Sequence, residues 1–250
     1  MHDSLIIPAR FRGPPNSGNG GYVAGAVAEQ FPGLAAADGV VQVTLRAPIP
    51  LDTPMPLTCT AENHLHLSLA GTLIAEAEPV HLTVDVPAPP SFAAALAARG
   101  GSPSLMPNLN PLLPDGLGFH PVCVCCGADV AAGEGLRVFA APVPGFDGVA
   151  AAWRPDRAFA DADGRLPERL VWTALDCPGQ FAYMAAGIRT GLLGRMAARV
   201  LRPVSADADY VVIGWRIGIE RRKHFAGTAL FDADGALCAW AYQTWIGVMD

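Results

Sequence analysis

The second half of this 250-residue chain repeats the layout of its first half. Three pairs of segments correspond: FRGP at 11–14 with WRP at 153–155, TLRAPI at 44–49 with VLRPV at 200–204, and LAGT at 69–72 with FAGT at 225–228. The last two pairs are both offset by 156 residues, since 202 − 46 and 227 − 71 give the same value. Repetition at a fixed spacing is typical of duplicated architectures. We therefore expect two copies of one structural unit, fused in tandem.

Periodicity predicts the same order of elements in each copy: a short strand, a polar loop, a helix and a series of strands. The first copy has a strand at 5–11, a helix at 21–31 and strands at 39–47, 55–69, 72–78 and 80–86. The second has a strand at 149–153, a helix at 178–188 and strands at 194–202, 210–221, 227–231 and 236–248. Asp176 is placed to cap the second helix, with Pro178 in its first turn.

Both predicted helices are rich in alanine and apolar nearly all round. A helix of this kind is buried on every side rather than lying on a surface. The sequence therefore predicts two helices that are each enclosed by a sheet.

The most specific stretches lie in the second copy: WTALD at 172–176, which leads into the helix, and DGALCAWAYQ at 234–243. With this order of elements, the chain resembles the double-hotdog proteins of the acyl-CoA thioesterase superfamily. The resemblance implies an α+β fold of two tandem hotdog units, each an antiparallel sheet wrapped around a central helix. We place the N-terminal unit at 1–87, a Pro/Ala/Gly-rich linker at 88–118 with one short helix at 91–99, and the C-terminal unit at 119–250.

The same resemblance implies which residues act on a thioester. Related long-chain thioesterases have a catalytic Asp at the start of the second helix and a Gln near the end of the last strand, and Asp176 and Gln243 occupy those places. They also have a hydroxyl residue from the strand after the helix. We take the corresponding region to be WRIGIE at 215–220, which contains no Ser or Thr.

Thioester hydrolysis requires an activated water, because neutral water is a poor nucleophile. We expect Asp176 to act as the base and Gln243 to position the water, with no cofactor. The backbone N–H of Gly21, at the start of the first helix, is our choice of donor to the oxyanion. Its neighbours Asn19, Gly20 and Tyr22 are expected to bind the substrate in a groove between the two units. The alternative is that Asp176 is only a helix cap and that the glycines form only a tight turn.

Phosphates of an acyl-CoA substrate require cations, and Arg221, Arg222 and Lys223 stand together at a predicted strand turn. We expect them to bind the CoA end. Charged runs at strand turns are more often simply solvated, so this alternative stays open.

A cysteine cluster, CVCCG at 123–127, contains a Cys-x-x-Cys-Gly knuckle formed by Cys123 and Cys126. A structural zinc site requires four ligands, and a lone knuckle supplies two. Zinc would require His120 with Cys125, or Cys177 brought close by folding. We predict no metal and interpret these residues as loop or buried cysteines, with a redox role as a further alternative. The clustered spacing does not indicate an extracellular disulfide framework.

Charge and hydropathy exclude several classes of protein. A net charge of −6 and an isoelectric point near 5.4 do not fit a nucleic-acid-binding protein. The first residues lack the basic region of a secretory signal, and no stretch reaches the 18 uninterrupted apolar residues of a membrane span. We expect a cytoplasmic protein without membrane insertion that binds an acyl-CoA or acyl-carrier substrate and forms a homodimer of double hotdogs.

Two other functions remain open on the sequence. A noncatalytic acyl-CoA or lipid-binding protein would keep the groove without the water-activating residues. A hydratase or dehydratase would carry an Asp-x-Asn-Pro-x-His motif, which this chain lacks.

Overall fold

The computed structural model describes residues 3–31, 39–106 and 120–247. Its α-helices are α1 Gly20–Ala28, α2 Phe92–Ala98, α3 Glu168–Ala174 and α4 Asp176–Met184. Its strands are β1 Ser4–Leu5, β2 Val40–Leu45, β3 Met55–Cys59, β4 Leu65–Leu69, β5 Thr72–Val80, β6 Ala141–Pro142, β7 Val149–Trp153, β8 Leu192–Val200, β9 Tyr210–Glu220, β10 Lys223–Asp232 and β11 Leu237–Ile246.

All of these strands belong to one antiparallel sheet in the order β1-β3-β4-β5-β2-β8-β11-β10-β9-β7-β6. The first copy contributes the order β1-β3-β4-β5-β2, and the second contributes the matching order β7-β9-β10-β11-β8, read outward to inward. The copies join through β2 and β8, which pair from Val41 opposite Ala198 to Thr44 opposite Arg195. The tandem hotdog prediction is confirmed.

The central helices are buried against this sheet and against each other. Eight of the nine residues of α1 are buried, and so are all nine of α4. Helix α1 runs antiparallel to α3, and two glycines permit their close approach. A Cβ at Gly25 would lie 2.6 Å from the Cα of Arg169, and one at Gly21 would lie 2.7 Å from the carbonyl oxygen of Trp172. An ion pair between Arg169 and Glu29, 2.5 Å long, joins the end of α1 to the start of α3.

Several predicted strand boundaries in the first copy are wrong. The strand predicted at 5–11 is only Ser4–Leu5, followed by a 3₁₀ turn at Ala9–Phe11. The strand predicted at 55–69 is two strands, because Thr60 accepts a hydrogen bond from the N–H of His64 across a tight turn in which Asn63 has a positive φ of 60°. The two strands predicted at 72–86 are the single strand β5, which ends at Val80.

One of the sequence matches that suggested the duplication is accidental. Gly71 lies in the turn between β4 and β5 with a φ of +80°. Gly227, its supposed counterpart, lies inside β10, which corresponds to β4. The true counterpart of the Gly71 turn is the β10–β11 hairpin, where Gly235 has a φ of +77°. The duplication is real, although the constant offset does not hold through the whole copy.

The second central helix differs from its prediction at 178–188. The chain forms α3 and α4 in succession, separated at Leu175. Pro178 explains the interruption, because it has no N–H to donate to the carbonyl of Ala174, yet proline is well tolerated in the first turn of α4. Asp176 is therefore the first residue of α4 and not its N-cap.

The predicted linker helix is confirmed as α2, which Ser91 caps by accepting a hydrogen bond from the N–H of Ala94. This segment does more than connect the units. Phe92 and Ala95 pack with side chains of β9 and β10 in a second hydrophobic cluster on the sheet, together with Leu82, Val84 and Val86 from the preceding stretch. The domain boundaries stay a prediction, and linker residues 107–118 fall outside the described ranges.

Candidate active-site cavity

A cavity of about 410 Å³ opens between the two hotdog units. Its walls come from the starts of α1 and α4, the segment after β2, the first residues of β8 and the last of β11. Most of the lining is apolar. The polar side chains at its floor and rim include Ser17, Asn19, His120, Asp176 and Gln180. The predicted groove between the units therefore corresponds to a cavity at the junction of both helix starts.

Asp176 is the buried carboxyl of this cavity, with only 3% of its surface exposed. Its Oδ2 accepts a hydrogen bond of 2.6 Å from the side-chain N–H of Asn19. Its Oδ1 has no hydrogen-bond partner among the described residues. Burial, followed by the negative charges of Cys125 and Cys123, raises the pKa of Asp176 well above its ordinary value.

Asn19 connects three parts of the site. Its Oδ1 caps α1 by accepting the N–H of Tyr22 at 2.9 Å, as the sequence signal for the helix start indicated. Its Nδ2 donates to Asp176 and lies 3.6 Å from the sulfur of Cys123. One amide therefore fixes a helix start of the first copy to the carboxyl of the second.

Gln243 lies beneath α4 and is not part of the cavity wall. Its Nε2 donates to the carbonyl oxygens of Leu175 and Asp176 at 2.7 and 3.0 Å. Its Oε1 accepts the indole N–H of Trp245 at 2.9 Å. The amide thus holds the junction of α3 and α4 in place, and these contacts position Asp176 rather than a water molecule.

The three predicted residues at the start of α1 have different surroundings. Gly20 lines the cavity. The backbone N–H of Gly21 interacts with the carboxyl of Asp176, and Gly21 is absent from the cavity wall. Tyr22 is buried and stacks on Phe11, with ring centroids 3.9 Å apart, so its side chain lies away from the cavity.

The basic residues Arg221, Arg222 and Lys223 lie exposed at the β9–β10 turn. None of them lines the cavity. Arg222 donates from Nε to the carbonyl of Gly247, next to the cavity residue Ile246. The turn therefore lies beside the end of β11 that borders the cavity.

The hydroxyl residue was sought in the wrong strand. The strand that follows α4 is β8, whereas the region at 215–220 belongs to β9. Directly before β8, the buried hydroxyl of Thr190 accepts a hydrogen bond of 3.1 Å from the cavity residue Gln180. Thr190 lies two residues before β8 and outside the cavity wall, and β8 itself contains no Ser or Thr, so the strand pattern alone did not mark this residue.

The fold also brings Cys177, on the first turn of α4, to the knuckle cysteines. The sulfurs of Cys123, Cys126 and Cys177 all lie within 4.8 Å of one another, and all three residues line the cavity. Hydrogen bonds from the thiols of Cys126 and Cys177 hold the pKa of Cys123 well below its ordinary value. Sequence spacing could not establish this arrangement, because Cys177 follows Cys123 by 54 residues in the chain.

These elements define what the cavity can do chemically. It offers a largely apolar space, one carboxyl oxygen without a hydrogen-bond partner among the described residues, and the N-terminal end of α1, where the first backbone N–H groups lack intrahelical acceptors. Such a site can bind an acyl group, move a proton at Asp176 and stabilise negative charge at a helix start. Among the described residues, no helix is both long enough and apolar enough to span a membrane.

Comparison with known proteins adds a structural likeness. No family model and no curated protein matches the chain. Among solved structures, it is similar to the TesB protein of Mycobacterium avium subsp. paratuberculosis, with 14% identity, a TM-score of 0.60, and coverage of 98% of this chain and 91% of that one. It is also similar to a hot dog fold protein of unknown function from Alicyclobacillus acidocaldarius, with 11% identity, a TM-score of 0.54, and coverage of 99% and 93%.

A third similar structure is a candidate thioesterase II from Thermobifida fusca, with 10% identity, a TM-score of 0.60, and coverage of all of this chain and 94% of that one. All three likenesses extend over nearly the whole length of both chains. At these identities they establish the fold alone, which is the double hotdog.

Proposed function

We propose that this protein hydrolyses an acyl thioester in the cavity between its two hotdog units. The observation that carries the proposal is Asp176, a buried carboxyl on the cavity wall that keeps one oxygen without a hydrogen-bond partner among the described residues. The names of the similar thioesterase structures agree with this chemistry. The proposed substrate is an acyl group carried on CoA or on an acyl-carrier protein.

In this proposal, a water molecule lies between the Oδ1 of Asp176 and the thioester carbonyl. Asp176 removes a proton from the water as its oxygen attacks the carbonyl carbon. The tetrahedral intermediate then collapses, the carbon–sulfur bond breaks, and the leaving thiolate takes the proton back from Asp176. The products are a carboxylic acid and a thiol, and the carboxylate is regenerated. Because burial raises the pKa of Asp176, activity should rise with pH as this carboxyl ionises.

Two contacts support the positioning of the base. Asn19 holds Oδ2 at 2.6 Å, whereas Oδ1 is buried without a hydrogen-bond partner among the described residues, and we propose that the attacking water binds there. Gln243 donates hydrogen bonds to the carbonyls of Leu175 and Asp176, and these bonds hold the backbone that carries the carboxyl in place. We therefore assign Gln243 a positioning role, in place of direct contact with the water that the sequence suggested.

The oxyanion requires an N–H donor on the cavity wall. Gly20, the first residue of α1, lines the cavity, whereas Gly21 interacts with Asp176. We therefore propose Gly20 as the donor, one residue before the predicted Gly21. The missing side chain at Gly20 permits close packing against Leu193, whose Cδ2 would lie 2.9 Å from a Cβ at this position, and the N–H of a first helical residue has no intrahelical acceptor.

The experiment is a hydrolysis assay over acyl-CoA substrates with short, medium, long and aromatic acyl groups, in which chromatography measures CoA release. We expect Asp176→Asn to reduce kcat by about 100-fold or more, since a general base contributes at least that much. The matched control is Asp234→Asn, the same chemical change in the exposed β10–β11 turn, which should retain full activity. A loss of less than about tenfold in Asp176→Asn would contradict the assignment of the base.

The second candidate is a noncatalytic acyl-CoA-binding protein. The contacts of Gln243 favour it, because this amide is engaged with backbone carbonyls and Trp245 rather than directed at the cavity. The same panel separates the two functions. Binding of acyl-CoA without CoA release would support the binding protein, and the absence of both would exclude acyl-CoA as the ligand.

A further inference from the structure

The loop that carries the cysteines has the form of a metal-binding knuckle. The N–H of Gly127 donates to the carbonyl of Cys123 at 2.7 Å, which closes a tight turn. A Cβ at Gly127 would lie 2.4 Å from the carbonyl oxygen of Pro121, so only glycine fits. The backbone N–H groups of Cys125 and Cys126 interact with the sulfur of Cys123. The turn therefore presents two sulfurs from a Cys-x-x-Cys-Gly segment together.

Helix α4 supplies a third sulfur at a distance that suits a metal. The sulfurs of Cys123 and Cys177 are 3.8 Å apart. In tetrahedral zinc sites with Zn–S bonds of about 2.3 Å, neighbouring sulfurs are separated by about 3.8 Å. A disulfide requires about 2.0 Å instead. The pair is therefore spaced as two ligands of one ion.

Cys125 is the candidate for the fourth ligand. Its thiol interacts with those of Cys126 and Cys177, and it is fully buried. Its sulfur lies outside the group of three that are within 4.8 Å of one another, so it has to rotate towards Cys123 to join them. His120 borders the same cavity near Cys123 and is only partly buried.

The surroundings provide donors that a cluster of thiolates requires. Asn19 places its side-chain N–H 3.6 Å from the sulfur of Cys123. The backbone N–H of Cys177, in the first turn of α4, interacts with the sulfur of Cys125. Donors of this kind orient the ligands of metal sites and stabilise their negative charge.

We propose that Cys123, Cys126 and Cys177, whose sulfurs lie together, bind one thiophilic divalent cation, Zn²⁺, and that rotation of the Cys125 side chain completes a tetrahedral site. Each cysteine loses its thiol proton and forms one sulfur–metal bond, and no electron transfer is involved. The ion joins the knuckle loop to the start of α4, so its role is to hold this loop against the helix beside the cavity. The proposal does not rest on the proposed hydrolysis, and the metal site shares the cavity wall with Asp176.

The first experiment measures metal content by mass spectrometry on full-length protein purified under reducing conditions without an affinity tag that binds metals. We expect about one zinc per chain. Replacement by Co²⁺ should give the sulfur-to-cobalt charge-transfer bands and the intense visible bands of a tetrahedral thiolate site. Removal with a chelator should lower Tm by about 10 °C or more, and added Zn²⁺ should restore it.

Variants identify the ligands. Cys177→Ser and Cys125→Ser should each lose most of the bound metal, whereas His120→Ala and the matched control Cys238→Ser should keep it, because Cys238 lies outside the cluster. If a variant does not fold, the chelation and cobalt measurements on the natural protein still decide the question. Absence of both zinc and cobalt binding, a disulfide between Cys123 and Cys177, or loss of metal in His120→Ala would overturn the four-cysteine site.

Discussion

The starts of α1 and α4 lie at corresponding places in the two copies, and they differ in one respect. Helix α1 begins after Asn19, which has an extended backbone with a ψ of 132° and caps the helix with its side chain. Helix α4 begins after Leu175, which has a helical backbone and provides no side-chain cap. The polar residue of the second copy, Asp176, is inside the helix. The first copy uses its polar residue for capping, while the second leaves a carboxyl facing the cavity.

This difference explains why the duplicated fold has one asymmetric site. A capping side chain must turn back towards its own helix, so its acceptor is already engaged. A carboxyl one position later does not cap the helix, so it can contact a ligand. At the junction of α3 and α4, Gln243 donates to two carbonyls, so it fixes the backbone there without acting as a cap for the N–H groups of α4. Substitutions at Gln243 and Asn19 test this contrast, and a third set tests the basic turn beside the cavity.

The largest effect is expected from Gln243→Ala. The substitution leaves the indole N–H of Trp245 without its partner in a buried site, and it removes a second donor from the carbonyls of Leu175 and Asp176, which also accept the first intrahelical bonds of α4. Each unsatisfied buried group costs about 1–3 kcal/mol, so we expect a loss of about 3 kcal/mol in the free energy of unfolding. Urea denaturation measures it. The matched control, Gln42→Ala, removes a partly buried bond to Glu78 and should cost less than about 1 kcal/mol.

A smaller effect is expected at Asn19, where two variants separate its two functions. Asn19→Ala should lower stability by about 1 kcal/mol through loss of the cap, and should lower kcat by about tenfold because Oδ2 of Asp176 loses its donor. Asn19→Ser retains a capping oxygen but has no amide N–H for Asp176. It should therefore restore stability without restoring kcat, as shown by parallel unfolding and hydrolysis measurements. Recovery of kcat in Asn19→Ser would contradict the positioning role.

The smallest effect is expected at the basic turn. Replacing Arg221 and Lys223 by alanine removes two exposed charges and leaves the bond from Arg222 to Gly247 intact. If the turn binds CoA phosphates, KM for acyl-CoA should rise by about fivefold with kcat unchanged, as expected for exposed ion pairs. A thioester of N-acetylcysteamine, which lacks these phosphates, serves as the control substrate. Equal changes in KM for both substrates would show that the turn does not recognise phosphate.

Particular residues show where sequence reasoning succeeded and where it stopped. The order of elements and the apolar helices predicted the duplicated hotdog, because hydrophobic periodicity and burial are local properties of the chain. The match between Gly71 and Gly227 aligned two residues that are not structural counterparts, since a glycine in a turn and a glycine in a strand cannot be distinguished from the sequence. Thr190 was missed because it precedes β8, a strand that contains no Ser or Thr, and only its hydrogen bond with Gln180 connects it to the cavity. The role of Gln243 depended on contacts that no spacing reveals.

The sequence by itself determined the two hotdog units and the place of Asp176 at the start of a helix. These features follow from patterns within a few residues, or from the repetition of such patterns. Only the tertiary structure decided which N–H faces the cavity, that Gln243 supports the backbone, and that Cys177 meets a knuckle cysteine 54 residues away. Such contacts depend on how the two copies pack across the β2–β8 pair, where Gly21 and Gly25 allow the helices to approach within backbone contact.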